Sequence, residues 1–193
     1  MSQKHRPSGT PAGFTLVEMM VVISVAIILV GLGAPSFANV LRQNRITAAV
    51  NDVIAGFQLA RSEAAKRGVP VRLCPAEGPN PDSCSGTDWA TGAIAFVDLN
   101  GDGTRDTNSG SGEDTLYVRS SLGANIFVNV STPLRDGLTF SGDGFPRDLL
   151  NDAQMVFCDE PDDQTRRRIV SVSTTGRPAA GRSLTIEGGL ECR

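Results

Sequence analysis

The chain has 193 residues, of which 40% are hydrophobic and 20% are charged, and its formal charge at pH 7 is −3. This length holds one modest domain plus an appendage, and the net acidity argues against indiscriminate affinity for nucleic acid. The only histidine is His5, so a chain shortened at its N-terminus would lack the imidazole of a Ser-His-Asp triad or a zinc site, and we expect no enzyme.

The N-terminus combines a polar, basic leader with a long apolar stretch. Residues 1–12 carry the cations Lys4 and Arg6, and residues 19–41 contain no charge. At about 1.5 Å per residue, a helix over residues 14–38 is long enough to cross a hydrocarbon core of about 30 Å. The cations before it predict a cytoplasmic N-terminus and an exported remainder.

The helical pattern continues beyond the apolar stretch, over residues 39–68. Apolar residues such as Val50, Val53 and Phe57 recur there at helical spacing, with charged residues elsewhere on the surface. Gly68 is the predicted C-cap. We therefore expect one N-terminal helix over residues 14–68, transmembrane first and amphipathic afterwards.

Beyond Gly68 the spacing of apolar residues changes from a period of 3.6 residues to a period of 2 residues, which is typical of β-strands. Clusters of Gly, Asp, Asn and Pro separate eight short runs: VPVRLC, GAIAFVD, TLYVRS, IFVNV, GLTFS, QMVFC, RRIVSVS and SLTIEG. The predicted fold class is α+β, with the long helix packed on an antiparallel β-sheet head of residues 69–193.

The four cysteines have neither CxxC spacing nor histidine partners: Cys74, Cys84, Cys158 and Cys192. An even number of cysteines in an exported chain predicts two disulfides. Three pairings are open; we favour Cys74–Cys84 across a Pro-rich loop and Cys158–Cys192, which would tie down the C-terminus. Buried free thiols are the alternative.

The stretch GFTLVEMMVV places one carboxylate, Glu18, inside the apolar run. With the basic leader before it and Pro35 downstream, this stretch resembles the N-termini of type IV pilins and type II secretion pseudopilins. The resemblance implies that a prepilin peptidase removes residues 1–13 by cleaving after Gly13, and that the new α-amine of Phe14 is methylated. It further implies a bacterial inner-membrane protein with a periplasmic head, whose partners are other major and minor pilins or pseudopilins.

Glu18 is the predicted assembly residue. A carboxylate inside a bilayer costs about 2.5–3.5 kcal/mol on insertion scales, and cleavage adds a second charge, the α-amine of Phe14. Opposite charges attract strongly at low dielectric, so Glu18 of one subunit can pair with the amine of its neighbour. Two alternatives stay open: an ordinary signal anchor with Glu18 at headgroup level, and a signal peptide cut near Gly33 or Ala34.

Later segments resemble the GspH/FimT minor pilins. The matching stretches are ARSEAAKRG, VRLC, IAFVDLNGDG, EDTLYVR, FCD and RRRIVSVSTTGR. This resemblance implies a minor pilin at or near the tip of a type IV pilus. The alternative is a minor, protein H-like pseudopilin of the type II secretion system, which the same N-terminus would serve.

Family members implicated in DNA uptake carry a C-terminal Gly-Arg-x-Arg turn, and the resemblance implies DNA binding here. Gly176 and Arg177 match, but an alanine stands at the second arginine position and the next cation is Arg182. Arg166 and Arg168 share one face of the preceding strand. Guanidinium groups suit phosphate, although the acidic segment DEPDD could neutralise these arginines instead.

The segment DLNGDGTRD has part of a calcium-loop pattern. Four residues occupy the first, third, fifth and ninth EF-hand positions: Asp98, Asn100, Asp102 and Asp106. The twelfth position is Ser109 rather than glutamate, and Glu113 or Asp114 could replace it if the loop folded back. A plain Gly/Asn/Asp turn explains the same residues, so calcium is the one cofactor to test.

Overall fold

The computed structural model describes residues 13–78, 81–108, 110–123, 125–160, 166–181 and 190–192. The chain divides into two compact units, residues 1–41 and residues 42–193. Helix α1 (Leu16–Arg67) is the first element, and all the strands described belong to the second unit. The leader residues 1–12 and the predicted strand SLTIEG lie outside the described residues.

The first part of α1, residues 16–41, is apolar and exposed. Its large apolar side chains are between 42% and 75% exposed, and none of its most apolar 18-residue window is buried within the protein. By length and composition this stretch can cross a membrane.

The second part of α1 supplies one side of the head's core. Its buried side chains follow one another at intervals of three and four residues: Ile46, Val50, Val53, Phe57, Ala60 and Ala64. This spacing places them on one helical face. The sequence-based division began the head at residue 69, whereas the compact unit begins at Arg42, because this helical face and the sheets share one apolar core.

The head contains two four-stranded antiparallel sheets. The first has the order β3-β2-β1-β5, with β1 Val71–Pro75, β2 Ala93–Val97, β3 Thr115–Arg119 and β5 Leu138–Phe140. The second has the order β4-β6-β7-β8, with β4 Phe127–Val130, β6 Ala153–Cys158, β7 Arg168–Val172 and β8 Pro178–Gly181. The α+β class and the antiparallel pairing agree with the sequence prediction.

Strand β8 is the strand that the sequence analysis missed. Its segment PAAG has no apolar alternation and begins with a proline, which cannot donate to a β-ladder. An edge position in the second sheet tolerates such a segment, because one side of an edge strand needs no partner. The other seven strands coincide with predicted runs.

Trp89 connects the helix, the loops and the sheets. Its ring stacks on Phe57 of α1, with ring centroids 5.7 Å apart. Its indole Nε1 donates a hydrogen bond of 2.9 Å to the carbonyl oxygen of Leu134, in the short 3₁₀ turn Thr132–Leu134. A buried tryptophan whose N–H has a partner contributes apolar area without an unsatisfied donor.

The structure contains both favoured disulfides, Cys74–Cys84 and Cys158–Cys192. Each lies in a small apolar cluster separate from the main core. Cys74 packs with Ile94 and Phe96 on the first sheet, and Cys158 packs with Ile169 on the second. Because side chains alternate along a strand, these clusters lie on the sheet faces that turn away from the core.

We predict that the two disulfides contribute unequally to stability. Cys158–Cys192 closes a loop with a sequence separation of 34, and Cys74–Cys84 one of 10. By loop-closure entropy, replacing Cys158 and Cys192 with alanine should lower the free energy of unfolding by about 1 kcal/mol more than the matched replacement of the other pair. Urea unfolding of residues 42–193 measures both; equal losses, or a larger loss for Cys74 and Cys84, would contradict this account.

Candidate functional site

The predicted cleavage site lies in exposed backbone. Gly13 and Phe14 precede the helix, and the Phe14 side chain is 79% exposed. The helix begins two residues later, at Leu16. The Gly13–Phe14 bond therefore lies outside the helix, in an exposed stretch, and cleavage at this bond stays a prediction.

Glu18 lies in the first turn of α1. The hydroxyl of Thr15 accepts a hydrogen bond of 3.2 Å from the Glu18 backbone N–H, so Thr15 caps the helix. A carboxylate in the first turn also interacts favourably with the helix dipole, by about 0.3–1 kcal/mol. This is less than the insertion cost of about 2.5–3.5 kcal/mol, so the local structure does not offset a membrane-buried Glu18.

Arg177 is held by a tight turn between β7 and β8. The Gly176 N–H donates to the carbonyl oxygen of Ser173 at 2.7 Å, and the Arg177 N–H donates to the Ser173 hydroxyl at 3.2 Å. Gly176 has φ +75°, and an added Cβ would lie 2.7 Å from the ring of Phe140. Only glycine fits this close approach, and the turn therefore fixes the position of Arg177.

Arg177 lines a groove with Arg61 of α1. The groove has a volume of about 430 Å³. Arg61 Nε donates to the carbonyl oxygen of Gly144 at 3.1 Å, which leaves its two terminal nitrogens for other partners. One acid, Asp143, also lines the groove. Two guanidinium groups facing one acid make this groove, the Arg61–Arg177 groove, suited to an anion.

The other predicted DNA-binding arginines are not part of this groove. Arg168 begins β7, whereas Arg177 lies in the turn after its far end. Arg166 Nη1 lies 3.7 Å from Asp159 Oδ2, within the acidic segment that the sequence analysis raised as a competitor. Arg182 lies outside the described residues. Of the four predicted arginines, the structure places Arg177 in a groove with Arg61, and DNA binding by these arginines stays a prediction. No local sequence pattern distinguishes Arg61 from the other helix-surface charges.

The residues of the calcium pattern form a self-bonded turn. Asp98, which is 1% exposed, accepts hydrogen bonds from the N–H groups of Gly101 and Gly103 at 2.8 and 3.2 Å. The Asn100 side-chain amide donates to the Asp102 carboxylate at 3.0 Å, and the Asn100 side-chain carbonyl accepts from the Asp102 backbone N–H at 3.0 Å. Asp106 contributes its N–H, which donates to Glu113.

Glu113 does fold back onto this loop, where its carboxylate contacts backbone N–H groups. Its carboxylate accepts hydrogen bonds from the N–H groups of Leu99 and Asp106, at 2.9 and 2.6 Å. Within the described residues, no group of three or more His, Cys, Asp or Glu side chains is arranged to hold a metal ion. Calcium binding stays a prediction, and the present contacts are those of a plain turn.

Asp114 and Glu63 belong to an ion-pair network at the end of α1. Arg67 Nε lies 2.7 Å from Glu63 Oε2, and Arg67 Nη1 lies 3.3 Å from Asp114 Oδ2. The hydrogen bond from Arg67 lowers the pKa of Glu63. Arg67 and Asp114 are exposed and Glu63 is half-buried, so water and salt weaken the network.

Arg119 is a buried cation with a structural role. Its Nη2 donates to the Trp89 carbonyl at 2.6 Å and its Nη1 to the Ser120 carbonyl at 3.2 Å. Burial lowers the pKa of Arg119 and raises that of the neighbouring Tyr117. The Tyr117 hydroxyl donates to the Asp52 carbonyl of α1 at 3.3 Å, and this hydrogen bond ties β3 to the helix.

Two comparisons of the sequence relate this chain to known proteins. A family model described as "Type II transport protein GspH" matches residues 49–176. Prepilin peptidase-dependent protein D of Escherichia coli is 38% identical over 74 residues, which make up 38% of this chain and 43% of that protein. The alignment thus spans less than half of that relative.

Among solved structures, the chain is similar to the type IV minor pilin FimU of Pseudomonas aeruginosa in two crystal forms. The TM-scores are 0.55 and 0.53, at 19% and 18% identity. The matches cover 78% and 76% of this chain, and 96% and 99% of the FimU chains. At this identity the likeness shows a shared fold.

Proposed function

Because the chain belongs to the GspH family of pilin-like proteins, we propose that it is a minor pilin with a structural rather than a catalytic role. In this proposal the prepilin peptidase cleaves after Gly13, Phe14 is N-methylated, and α1 anchors the chain in the inner membrane with the head in the periplasm. The subunit then enters a type IV pilus, at or near its tip. The name of the Escherichia coli relative supports the cleavage step.

The observation that carries the proposal is the position of Glu18. It is the single charge between Phe14 and Leu41, on a helix whose apolar side chains are exposed throughout that stretch. Cleavage would place the Phe14 amine about one helical turn from Glu18, exposed and available to a neighbouring subunit. Pairing the two charges removes both penalties, so the filament is favoured over the lone subunit.

The second candidate is a minor pseudopilin of a type II secretion filament. The description of the matching family favours it, and the helix and Glu18 would act in the same way. The TTGR turn with Arg177 favours the pilus, through the resemblance to pilins of DNA uptake. The genes that neighbour this one, for a pilus or for secretion, discriminate between the two.

A DNA-binding role is a further candidate, carried by the Arg61–Arg177 groove. Two guanidinium groups can each contact a phosphate, whereas Asp143 in the same groove limits the attraction. No base-reading element is involved, so the binding would be weak, independent of sequence and sensitive to salt. Because the chain as a whole is negatively charged, it repels DNA elsewhere, and such binding would be confined to the groove.

Intact-mass analysis of protein extracted from the native membrane tests the processing steps. We expect a chain that lacks residues 1–13, carries one added methyl group, and lacks four hydrogens because of its two disulfides. The control is the same protein made in a host without prepilin peptidase, which should retain Met1 or Ser2. A native chain that still begins with the leader, or that begins near Pro35, would contradict the proposal.

A salt series tests DNA binding by the head. We expect Arg61→Ala with Arg177→Ala to weaken binding of residues 42–193 to a short duplex, and to reduce the slope of log K against log salt by about two. The matched control is Arg135→Ala, an exposed arginine in a different groove. Equal effects of the control and the double variant would assign the binding to general charge and reject the groove.

A further inference from the structure

Arg72 of β1 contacts one sulfur of the Cys74–Cys84 disulfide and not the other. Its Nε lies 3.2 Å from Cys84 Sγ, whereas Cys74 Sγ lies 3.9 Å from the carbonyl oxygen of Ile94. A guanidinium group stabilises a neighbouring thiolate, and the negative end of a carbonyl dipole disfavours one. The two sulfurs of this disulfide therefore have opposite electrostatic surroundings.

The two sulfurs also differ in accessibility. Cys74 is 0% exposed and belongs to the apolar cluster that contains Ile94 and Phe96. Gly137 packs on it so closely that an added Cβ would lie 2.5 Å from Cys74 Cβ. Cys84 is half-buried, in the loop between β1 and β2. An external reagent can therefore reach the sulfur of Cys84 in the folded head, whereas the sulfur of Cys74 is shielded.

Contacts that do not involve the disulfide hold the Arg72 guanidinium in place. Nη1 donates to the Thr139 hydroxyl of β5 at 3.2 Å, and Nη2 donates to the carbonyl oxygen of Asp136 at 2.7 Å. Gly103 packs on the same group, since a Cβ added there would lie 3.3 Å from it. The cation therefore keeps its position when the disulfide is open.

The loop around Cys84 is also held on both sides without the disulfide. The Ser85 hydroxyl accepts a hydrogen bond of 2.8 Å from the Glu77 N–H. On the other side, Arg105 Nη2 lies 2.7 Å from Asp82 Oδ1. The reduced head therefore keeps the Cys84 thiol beside the guanidinium group.

The contact with Arg72 is the strongest charge interaction of Cys84. Three acids belong to the segments around this cysteine: Glu77, Asp82 and Asp136. All three are exposed, so water screens their charges. Asp82 is also paired with Arg105. The side chains of β2 in the same cluster, Ile94 and Phe96, carry no charge.

We propose that Cys84 is the reactive thiol of the reduced head, at which an external disulfide enters to oxidise the Cys74–Cys84 pair. The Cys84 thiolate attacks one sulfur of that disulfide, and the other sulfur leaves as a thiolate that takes a proton from water. Cys74 then loses its proton to water and attacks Cys84 Sγ, which closes the native disulfide and expels the second external thiolate. Two protein thiols are oxidised, and one external disulfide is reduced to two thiols. This inference goes beyond the proposed function and does not depend on filament assembly.

Two single-cysteine variants of the full chain test the proposal, in detergent and with the Cys158–Cys192 disulfide retained. Cys74→Ser leaves the Cys84 thiol free, and Cys84→Ser leaves the Cys74 thiol free. Each variant is mixed with glutathione disulfide over a pH series, and intact mass follows formation of the mixed disulfide. At neutral pH we expect Cys84 to react about tenfold faster than Cys74 or more, with a half-maximal rate below the ordinary thiol value of about pH 8.5. Guanidinium chloride should remove the difference, because the unfolded chain does not hold the cation in place.

Variants of Arg72 separate an electrostatic role from a structural one. In the Cys74→Ser chain, Arg72→Gln should slow the reaction at neutral pH by about threefold or more and raise the pH of half-maximal rate. Arg72→Lys should keep most of the rate, and the control Arg45→Gln, at an exposed position in a different groove, should change neither quantity. A purely structural role predicts the opposite sign, because a loosened loop would expose Cys84 and speed the reaction.

Three results would overturn the proposal. One is equal rates for the two cysteines, and another is a faster reaction or an unchanged pH dependence in Arg72→Gln. The third is a half-maximal rate of Cys84 at the ordinary thiol value in the Cys74→Ser chain. This last measurement needs no change at Arg72, so it decides the matter even if Arg72→Gln fails to fold.

Discussion

The central physical constraint on this protein is a single carboxylate on an exposed apolar helix. The Thr15 hydroxyl accepts a hydrogen bond from the Glu18 backbone N–H, and the helix dipole acts on the carboxylate; these local effects are smaller than the insertion penalty of Glu18. A second charge supplied by another subunit can offset that penalty. In the proposed function, leader cleavage, membrane insertion and polymerisation are linked, because cleavage would create the α-amine on Phe14 and a shared membrane would bring a second subunit to it. The N-terminal stretch would then favour assembly over the isolated chain.

The same helix organises the head. Beyond Arg42 its apolar residues converge on one face, from Ile46 to Ala64, and the two sheets bury that face. The disulfides belong to the two small apolar clusters, which are separate from the main core. The Arg61–Arg177 groove lies where the turn after β7 meets α1, so the helix supplies one of its two cations and the turn supplies the other.

Local patterns were sufficient for α1 and seven of the described strands, but not for strand β8 or the Arg61–Arg177 groove. Helical and alternating periods indicated α1 and seven strands, and loop composition indicated both disulfide pairs. The missed strand β8 lacks any alternation, so only its pairing with β7 identifies it. Arg61 and Arg177 are far apart in the chain, and the close approach of Gly176 to Phe140 that positions Arg177 is a tertiary feature. In the calcium pattern, the residue types matched those of a calcium-ligand set. In the structure, however, the carboxylates of Asp98 and Glu113 accept hydrogen bonds from backbone N–H groups.

The most direct test replaces Glu18 with glutamine and counts the subunit in sheared filaments against the wild type. Glutamine keeps the size of the side chain and removes its charge, so this account predicts normal cleavage and membrane insertion but a large loss from filaments. The matched control is Ser24→Ala, because the Ser24 hydroxyl donates its hydrogen bond to the carbonyl oxygen of Met20 on the same helix. Incorporation of the Glu18→Gln subunit at the wild-type level would contradict the central claim.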